Sequence, residues 1–344
     1  MEVFHGKTIQ RQGNLMALPI PGFLREQFRP LRRFSIVRLP VDYYHQRQRR
    51  LHRQNLASRE LPSMVLIELT NTCNLRCAKC TLVHTKRKRG FIDDTLLEKV
   101  LKDIKETKVP TEIALSGSGE PTLHPHLVEY VEAARSIPNV GVIGFATNGV
   151  ALKPALSEKL LDAGLTRLKA SLDTDDAAEY LRLNGRDKYK KAADNFLQFC
   201  KINQTTGNRC QVTLKATIYD NDLSLAKRLK KKWEPYVFQV RVTPVHNWAG
   251  IATKELTKTE TIRQPCSLLW EQIQVLWNGQ ITICCMDCME GRFKMGNAHT
   301  TNLSQYWLHD PELKKIRLQH ESLDLSALPA CAKCDMWAYS DIDI

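Results

Sequence analysis

From residue 64 onward, short apolar stretches alternate with longer segments in which apolar side chains recur at helical spacing. The apolar stretches predict strands at residues 65–69, 112–116, 140–146, 167–172, 210–218 and 237–242. Helices are predicted between them at residues 94–106, 126–136, 153–163, 188–202 and 223–233. Strands that alternate with helices are typical of parallel βα units, so the pattern predicts an α/β fold. This periodicity alone does not separate an open barrel from a doubly wound sheet.

Three cysteines share the loop that follows the first predicted strand. Cys73, Cys77 and Cys80 have the spacing C-x3-C-x2-C. Iron–sulfur clusters are held by cysteine thiolates, and three thiolates leave one iron of a cubane open to a substrate or cofactor. The alternative is a zinc knuckle or a chance group of core cysteines, but zinc sites usually combine two C-x2-C arms. The spacing therefore predicts a reactive cluster.

At these residues the chain resembles the radical S-adenosylmethionine superfamily. The resemblance implies a partial (β/α)6 TIM-like barrel and a [4Fe-4S] cluster whose open iron chelates S-adenosylmethionine. It also implies that an electron from the cluster, supplied by a donor such as flavodoxin or ferredoxin, splits this cofactor to give a 5'-deoxyadenosyl radical. The family has an aromatic or large apolar side chain before the third cysteine, near the adenine, whereas this chain has Lys79.

Later strand ends carry small and polar residues suited to a polar cofactor. The run 116–121, Ser-Gly-Ser-Gly-Glu-Pro, resembles the family's glycine-glycine-glutamate-proline motif, and runs 146–149 and 171–173 resemble two further cofactor-binding turns. The resemblance implies that the cofactor contacts are Ser118, Gly119, Glu120, Thr147, Asn148, Ser171 and Asp173. Arg182 and Arg186 bracket the place of an arginine that binds the cofactor carboxylate. Each motif alone is ordinary turn or cap chemistry, and their order at successive strand ends carries the inference.

A second group of cysteines lies near the C terminus. Residues 272–283 alternate around Asn278-Gly279, the strongest short hairpin signal. A helix is predicted over residues 304–318, ahead of the C-x2-C pair Cys331 and Cys334. This arrangement would bring four thiolates together.

These cysteines resemble the SPASM or twitch extension of the superfamily, a small hairpin-plus-helix domain that holds an auxiliary [4Fe-4S] cluster. The resemblance implies the ligands Cys266, Cys284, Cys331 and Cys334, with Cys285 as an alternative to Cys284, and a structural zinc site is the competing interpretation. With only Cys285 and Cys288 left nearby, the one-cluster twitch form is expected. Cys200 and Cys210 are expected to be buried, unligated thiols.

The charge distribution indicates a basic N-terminal extension at residues 1–62, and the resemblance implies a barrel at 63–250 and an auxiliary cluster domain at 251–344. Residues 1–60 carry twelve Lys or Arg and four Asp or Glu, which favours an acidic partner, an anionic surface or an anionic substrate. Nucleic acid is not expected, because no recognised binding motif follows. Eleven cysteines without an apolar leader or membrane-spanning run favour a reduced, cytoplasmic location.

The auxiliary cluster indicates the reaction type. A radical formed on the substrate can lose an electron to such a cluster, which favours net oxidation. The resemblance to one-cluster members of the superfamily implies dehydrogenation of a hydroxylated sugar or aminocyclitol-type small molecule. The alternatives are a peptide maturase, which the resemblance also allows, and a non-catalytic iron–sulfur protein. The base that takes the hydroxyl proton is expected among His246, Arg241 and Lys215, with His246 first because its ordinary pKa lies near neutrality.

Overall fold

The strands that the alternating pattern predicts lie side by side in one sheet. The computed structural model describes residues 47–80, 82, 85–218, 222–247, 249, 263–282, 284–286, 293 and 295–338. Residues 1–58 and 59–344 form two compact units. In the first unit a helix covers residues 47–57. Most of the predicted basic extension, together with Cys288, lies outside the described residues.

The described residues form one open sheet that is parallel except at one edge. Its strands are β1 (Met64–Ile67), β2 (Thr111–Ala114), β3 (Val140–Thr147), β4 (Arg167–Ser171), β5 (Gln211–Ile218), β6 (Gln239–Pro244), β7 (Gln272–Val275) and β8 (Ile281–Thr282). The strand order is β6-β5-β4-β3-β2-β1-β7-β8, and only β8 pairs antiparallel. From β1 to β6 the order is sequential, whereas a doubly wound sheet reverses its order at a switch point. The predicted α/β fold with a partial barrel is confirmed.

Helices lie between the strands and after the last one. They are α1 (Asp94–Thr107), α2 (Leu127–Arg135), α3 (Pro154–Asp162), α4 (Ala177–Asn184), α5 (Tyr189–Thr205), α6 (Leu223–Trp233), α7 (Leu268–Glu271), α8 (Leu303–His309), α9 (Pro311–Ser322) and α10 (Pro329–Lys333). The sequence pattern missed α4, whose ends carry clear local signals. Asp176 accepts a hydrogen bond from the Glu179 amide at 2.7 Å, and Gly185 ends the helix with φ of +65°.

The prediction of one helix over residues 304–318 was wrong. The chain breaks into α8 and α9 at Asp310. Pro311 has no amide hydrogen to continue α8, but it fits the first position of a new helix. The Asp310 carboxylate accepts from the Leu313 amide at 2.8 Å and so caps α9.

Alternation along the strands separates an apolar face from a polar face. On β4, buried Leu168 and Ala170 alternate with half-buried Arg167, Lys169 and Ser171. Successive side chains of a strand point to opposite faces. β5 and β6 continue the pattern, with Thr213, Lys215 and Arg241 at the polar positions. The side chains able to bind a polar ligand on β4, β5 and β6 therefore lie on the polar face of the sheet.

The C-terminal hairpin joins the same sheet. β7 pairs in parallel with β1, with Met64 opposite Gln272 and Ile67 opposite Val275. The predicted Asn-Gly hairpin forms between β7 and β8, and Gly279 adopts φ of +83° in its turn. More than two hundred residues separate β1 from β7, so local sequence patterns carry no signal for this pairing. It places the C-terminal cysteines beside the barrel.

Candidate active site

The cysteine loop after β1 is held against the end of α4. Two of its backbone amides donate to α4 carbonyls, Arg76 to Asn184 at 3.0 Å and Ala78 to Leu183 at 2.8 Å. Burial is the largest cause that raises the pKa of Cys73 to about 11 and of Cys77 to about 12. The pKa of Cys80 is raised for the same reason. These thiols are half-buried, and metal binding would displace their protons.

Asn184 takes the place at which the resemblance implies an arginine. The Cys77 thiol donates to Asn184 Oδ1 at 3.1 Å, and Asn184 is 5% exposed. The next residue is Gly185. A larger residue would collide with the cysteine loop here, because a Cβ would lie 2.7 Å from the Arg76 carbonyl oxygen. The sequence analysis did not predict the contact between Cys77 and Asn184.

The two bracketing arginines lie at the surface. The Arg182 guanidinium, 66% exposed, bonds to Glu179 of the same helix at 2.6 and 2.9 Å. Arg186, also exposed, follows the end of α4. Their predicted role as carboxylate partners stays a prediction.

The buried Glu120 side chain connects two of the predicted motifs, the turn after β2 and the turn after β3. It accepts from Thr147 Oγ1 and from the Asn148 amide, both at 2.7 Å, and from the Thr122 hydroxyl at 2.6 Å. Its side chain is 3% exposed, and burial raises the pKa of its carboxyl group. Asn148 in turn donates to Asn74 Oδ1 at 2.8 Å, with its amide nitrogen 3.7 Å from Cys73 Sγ. The turns after β2 and β3 therefore lie beside the cysteine loop.

The glycines of the turn after β2 allow a close approach to the same loop. A Cβ on Gly119 would lie 2.4 Å from the Thr70 carbonyl oxygen and 2.6 Å from that of Thr72. Next to it, the Ser118 amide donates to the fully buried Glu68 at 3.1 Å. Arg87 holds the same carboxylate with two hydrogen bonds, at 3.2 and 2.7 Å. The Glu68–Arg87 pair is a part of the site that the motifs did not predict.

Asp173 connects β4, β5 and the cysteine loop. Its Oδ1 accepts from the Thr217 amide at 2.8 Å, and its Oδ2 forms an ion pair with Lys79. Two residues earlier, Ser171 pairs in register with Lys215 of β5. The predicted residues Ser171 and Asp173 thus lie near one another at the carboxyl end of β4.

The three residues proposed as bases lie on β5, β6 and the segment after β6. Lys215 and Arg241 are register partners. Burial is the largest cause that lowers the pKa of His246 to about 3, and the charges of Lys215 and Lys79 add to it. His246 is therefore neutral at physiological pH and lies close to both lysines.

The second group of thiols lines one cavity. Cys266, Cys284, Cys331 and Cys334 all contribute to its wall, together with Arg263 and His320. Burial raises the pKa of Cys266 to about 12. His320 is 1% exposed, and among the described residues its Nε2 has no hydrogen-bond partner. Among the described residues, no three of these side chains are arranged to hold a single metal ion. Four cysteines lining one cavity are nevertheless the donor set that holds a [4Fe-4S] cluster.

Two further side chains hold the C-x2-C turn at this cavity. Arg263 donates to the carbonyls of Cys334 at 2.9 Å and Cys331 at 3.0 Å. Asn247, which follows His246, donates to the Lys333 carbonyl at 2.7 Å. The C-x2-C turn is therefore tied to the end of β6, on the same side as His246.

Comparison with known proteins agrees with both sites. Residues 67–214 match the model of the radical SAM superfamily, and residues 266–335 match the model of the SPASM iron–sulfur cluster-binding domain. The chain carries a radical SAM domain followed by a SPASM domain. These domains imply [4Fe-4S] clusters and S-adenosylmethionine. Of the described helices, none has the length and apolar character needed to cross a membrane.

Relatives and solved structures extend the comparison. GTP 3',8-cyclase of Chlorobaculum tepidum is 33% identical over 136 residues, which cover 39% of this chain and 40% of that protein. The matched residues cover between 21% and 40% of the length of the curated relatives. BtrN, solved with AdoMet and 2-DOIA, aligns with a TM-score of 0.55 and 17% identity, over 80% of this chain and 93% of that chain. Streptococcus suis SuiB, bound to precursor peptide SuiA, has a TM-score of 0.62 and 16% identity, over 75% and 67%.

Proposed function

We propose that this radical SAM protein oxidises a hydroxylated carbon of a sugar or aminocyclitol-type small molecule by two electrons. The observation that carries the proposal is the cavity lined by Cys266, Cys284, Cys331 and Cys334. A cluster held there would be an electron acceptor in the same compact unit as the radical SAM site. Net oxidation needs such an acceptor, because the substrate radical must lose one electron after it loses its hydrogen atom.

In the first site, different residues would bind the cluster and S-adenosylmethionine. Cys73, Cys77 and Cys80 would hold the first cluster, and the turn around Gly119 and Glu120 would bind the polar end of S-adenosylmethionine. When bound and reduced, that cofactor supplies the radical that takes a hydrogen atom from the substrate. The hydrogen bonds of Glu120 to the turn after β3 keep this pocket preorganised before the cofactor enters.

His246 is the base in this proposal. Its imidazole is neutral, and a pKa of about 3 makes it a weak base. A weak base is sufficient here, because a substrate radical that had lost its electron to a cluster held by the second group of cysteines would be a protonated carbonyl, which is strongly acidic. One hydrogen atom, one electron and one proton leave the substrate, which balances the two-electron oxidation. Asn247 supports this role because it binds the Lys333 carbonyl beside the second cluster site.

Peptide maturation is the second candidate, favoured by the fold likeness to SuiB with its precursor peptide. The two differ in substrate size and in product. A dehydrogenase releases a small carbonyl compound, whereas a maturase leaves a crosslinked or epimerised peptide. Untargeted mass spectrometry of a strain without this gene separates them: an accumulated small molecule heavier by two hydrogens than its product supports the dehydrogenase, and an accumulated unmodified peptide supports the maturase.

The radical chemistry itself is tested with purified protein. The anaerobically reconstituted chain, given S-adenosylmethionine and a reductant, should release 5'-deoxyadenosine, and Cys77→Ala should release none. Cys200→Ala is a matched control, because Cys200 is a buried thiol of α5 outside both cysteine motifs. Release that persists in Cys77→Ala would reject the first loop as the site.

A further inference from the structure

His320 has an unsatisfied ring nitrogen at the cavity of the second cysteine group. Its side chain is 1% exposed, and it forms part of the cavity wall together with Cys266, Cys284, Cys331 and Cys334. Among the described residues, the Nε2 atom of this ring has no hydrogen-bond partner. A buried polar atom without a partner costs free energy. The group that occupies the cavity is therefore expected to supply that partner.

The other ring nitrogen of His320 already has a partner. The backbone amide of Cys266 donates to His320 Nδ1 at 3.4 Å. A hydrogen on Nδ1 would face the hydrogen of that amide, so the ring carries its hydrogen on Nε2. The Nε2 atom is then a donor and has no lone pair available to bind iron. The partner that it needs is an acceptor.

Helix α9 holds this ring in place. The buried positions of the helix are Leu313, Ile316, Arg317 and His320, which recur at the three- and four-residue spacing of a single helix face. Three residues before His320, the Arg317 side chain donates to the Leu269 carbonyl at 3.1 Å. The imidazole is therefore positioned by a packed helix.

The cavity wall offers few polar groups to a cluster. Apart from the cysteines, Arg263 and His320, the described residues that line it are apolar or aromatic. Arg263 donates to the Cys334 carbonyl at 2.9 Å, and its buried Nε has no partner among the described residues. A cubane with four thiolates is negatively charged and gains one more negative charge on reduction, which an apolar wall disfavours. Hydrogen bonds to the sulfur atoms of a cluster stabilise the reduced state and raise its potential.

We propose that His320 donates a hydrogen bond from Nε2 to a sulfur atom of the second cluster and so raises its reduction potential. The inference rests on the proposed function, in which this cluster accepts the electron of the substrate radical. His320 does not touch the substrate in this role. It makes the acceptor easier to reduce, and the same cavity without this donor would hold a weaker acceptor.

The hydrogen bond is tested first in the unmodified chain. The full-length chain is reconstituted anaerobically with isotopically labelled histidine, and its second cluster is reduced for pulsed electron paramagnetic resonance. We expect a weakly coupled histidine nitrogen and a hydrogen that exchanges in deuterated buffer, and both should disappear in His320→Phe. A strongly coupled nitrogen would show that the imidazole binds iron directly, and the absence of any histidine coupling would show that no hydrogen bond forms. Either result would overturn the proposal.

Three variants connect the hydrogen bond to the potential, which is measured by spectroscopic redox titration. His320→Phe keeps a ring of similar shape without a donor, and it should lower the potential of the second cluster by about 59 mV or more, a tenfold change in the one-electron equilibrium. His320→Gln keeps an N–H group that can reach the cavity, so it should retain most of the potential. His309→Phe is the matched control, because His309 is exposed at the end of α8. The first cluster should keep its potential in all three variants.

The outcomes separate a hydrogen bond to the cluster from a packing role. An unchanged potential in His320→Phe would overturn the proposal. An equal fall in His320→Phe and His320→Gln would assign the effect to packing around Cys266 and would also overturn it. Iron content and circular dichroism check each variant, and if His320→Phe does not assemble the second cluster, the couplings of the unmodified chain decide.

These measurements need no substrate, so they are independent of dehydrogenation. A chain that shows the expected couplings and shift but oxidises no hydroxylated compound would keep the role of His320 and reject the proposed reaction. A chain that oxidises such a compound while its second cluster ignores His320→Phe would keep the proposed reaction and reject the hydrogen bond. A zinc ion in place of the second cluster would reject both.

Discussion

The Lys79 ammonium group forms an ion pair with the Asp173 carboxylate and so joins the cysteine loop to the carboxyl end of β4. Lys79 is 20% exposed and Asp173 is 4% exposed. The pair accounts for a lysine at the position where the superfamily resemblance implies an aromatic or large apolar side chain. Because Asp173 also accepts from the Thr217 amide, removal of the lysine would leave a buried carboxylate with one neutral partner in this network.

The two members of this pair should differ in what their loss costs. Lys79→Met should lower the free energy of unfolding by roughly 3 kcal/mol, because it leaves a buried charge uncompensated. Asp173→Asn should cost less, since the Lys79 side chain can turn towards solvent. The double variant should be more stable than Lys79→Met alone. Urea unfolding of the four proteins measures this cycle, and strictly additive losses would contradict a coupled pair.

How far the sequence predicts this molecule depends on the range of the contacts. The strands, the three-cysteine loop and the glycine turn are local patterns, and the fold confirms the α/β prediction. Asn184 and Arg263 contact cysteine residues that lie far from them in sequence, so motif spacing could not predict either contact. The pairing of β1 with β7 could not be predicted for the same reason. The break at Asp310-Pro311 was predictable from proline chemistry and from aspartate as a cap.

The turn after β2 gives a test that compares two glycines. Gly119→Ala should lower the free energy of unfolding by about 1–3 kcal/mol, because its Cβ would collide with the backbone of Thr70 and Thr72. It should also abolish release of 5'-deoxyadenosine. Gly141→Ala is the control, because nothing lies within 4 Å of a Cβ at that strand position. Thermal unfolding and product release are measured for both variants, and equal behaviour would refute the close approach at Gly119.

The number of clusters is tested by metal content. Anaerobic reconstitution should give roughly eight irons per chain if two cubane clusters form. Changing both Cys331 and Cys334 to alanine should remove the second cluster and leave roughly four. The double variant Cys200→Ala, Cys210→Ala should keep the full iron content, because both thiols are buried away from the two motifs. A count near four in the unmodified chain, with stoichiometric zinc, would replace the second cluster by a zinc site.

His246 should make the stability of the cluster-free chain depend on pH. Its folded pKa of about 3 lies below the ordinary value of 6.5, so the unfolded state binds the proton more tightly. The stabilisation is complete above pH 6.5 and is lost as pH falls towards 3. Between pH 7.5 and 5 the loss should be ~2 kcal/mol, and it should be absent in His246→Gln. Urea unfolding at both pH values gives the comparison, and identical pH dependence in the two proteins would exclude a buried neutral imidazole.

The positive charge of Arg263 should raise the reduction potential of the second cluster. Its guanidinium binds the carbonyls of Cys331 and Cys334 and lies 4.8 Å from the centre of the Trp337 ring. A positive charge beside a cluster favours the reduced, more negative state. Arg263→Gln should therefore lower the potential of that cluster by on the order of 60 mV, a tenfold change in its one-electron equilibrium, while the first cluster keeps its potential. Spectroscopic redox titration follows each cluster separately, with Arg209→Gln as control, since Arg209 pairs with Asp162 at the surface. If the substitution shifts neither potential, then Arg263 only braces the C-x2-C turn, and if it shifts both equally, its effect is not local to the second cluster.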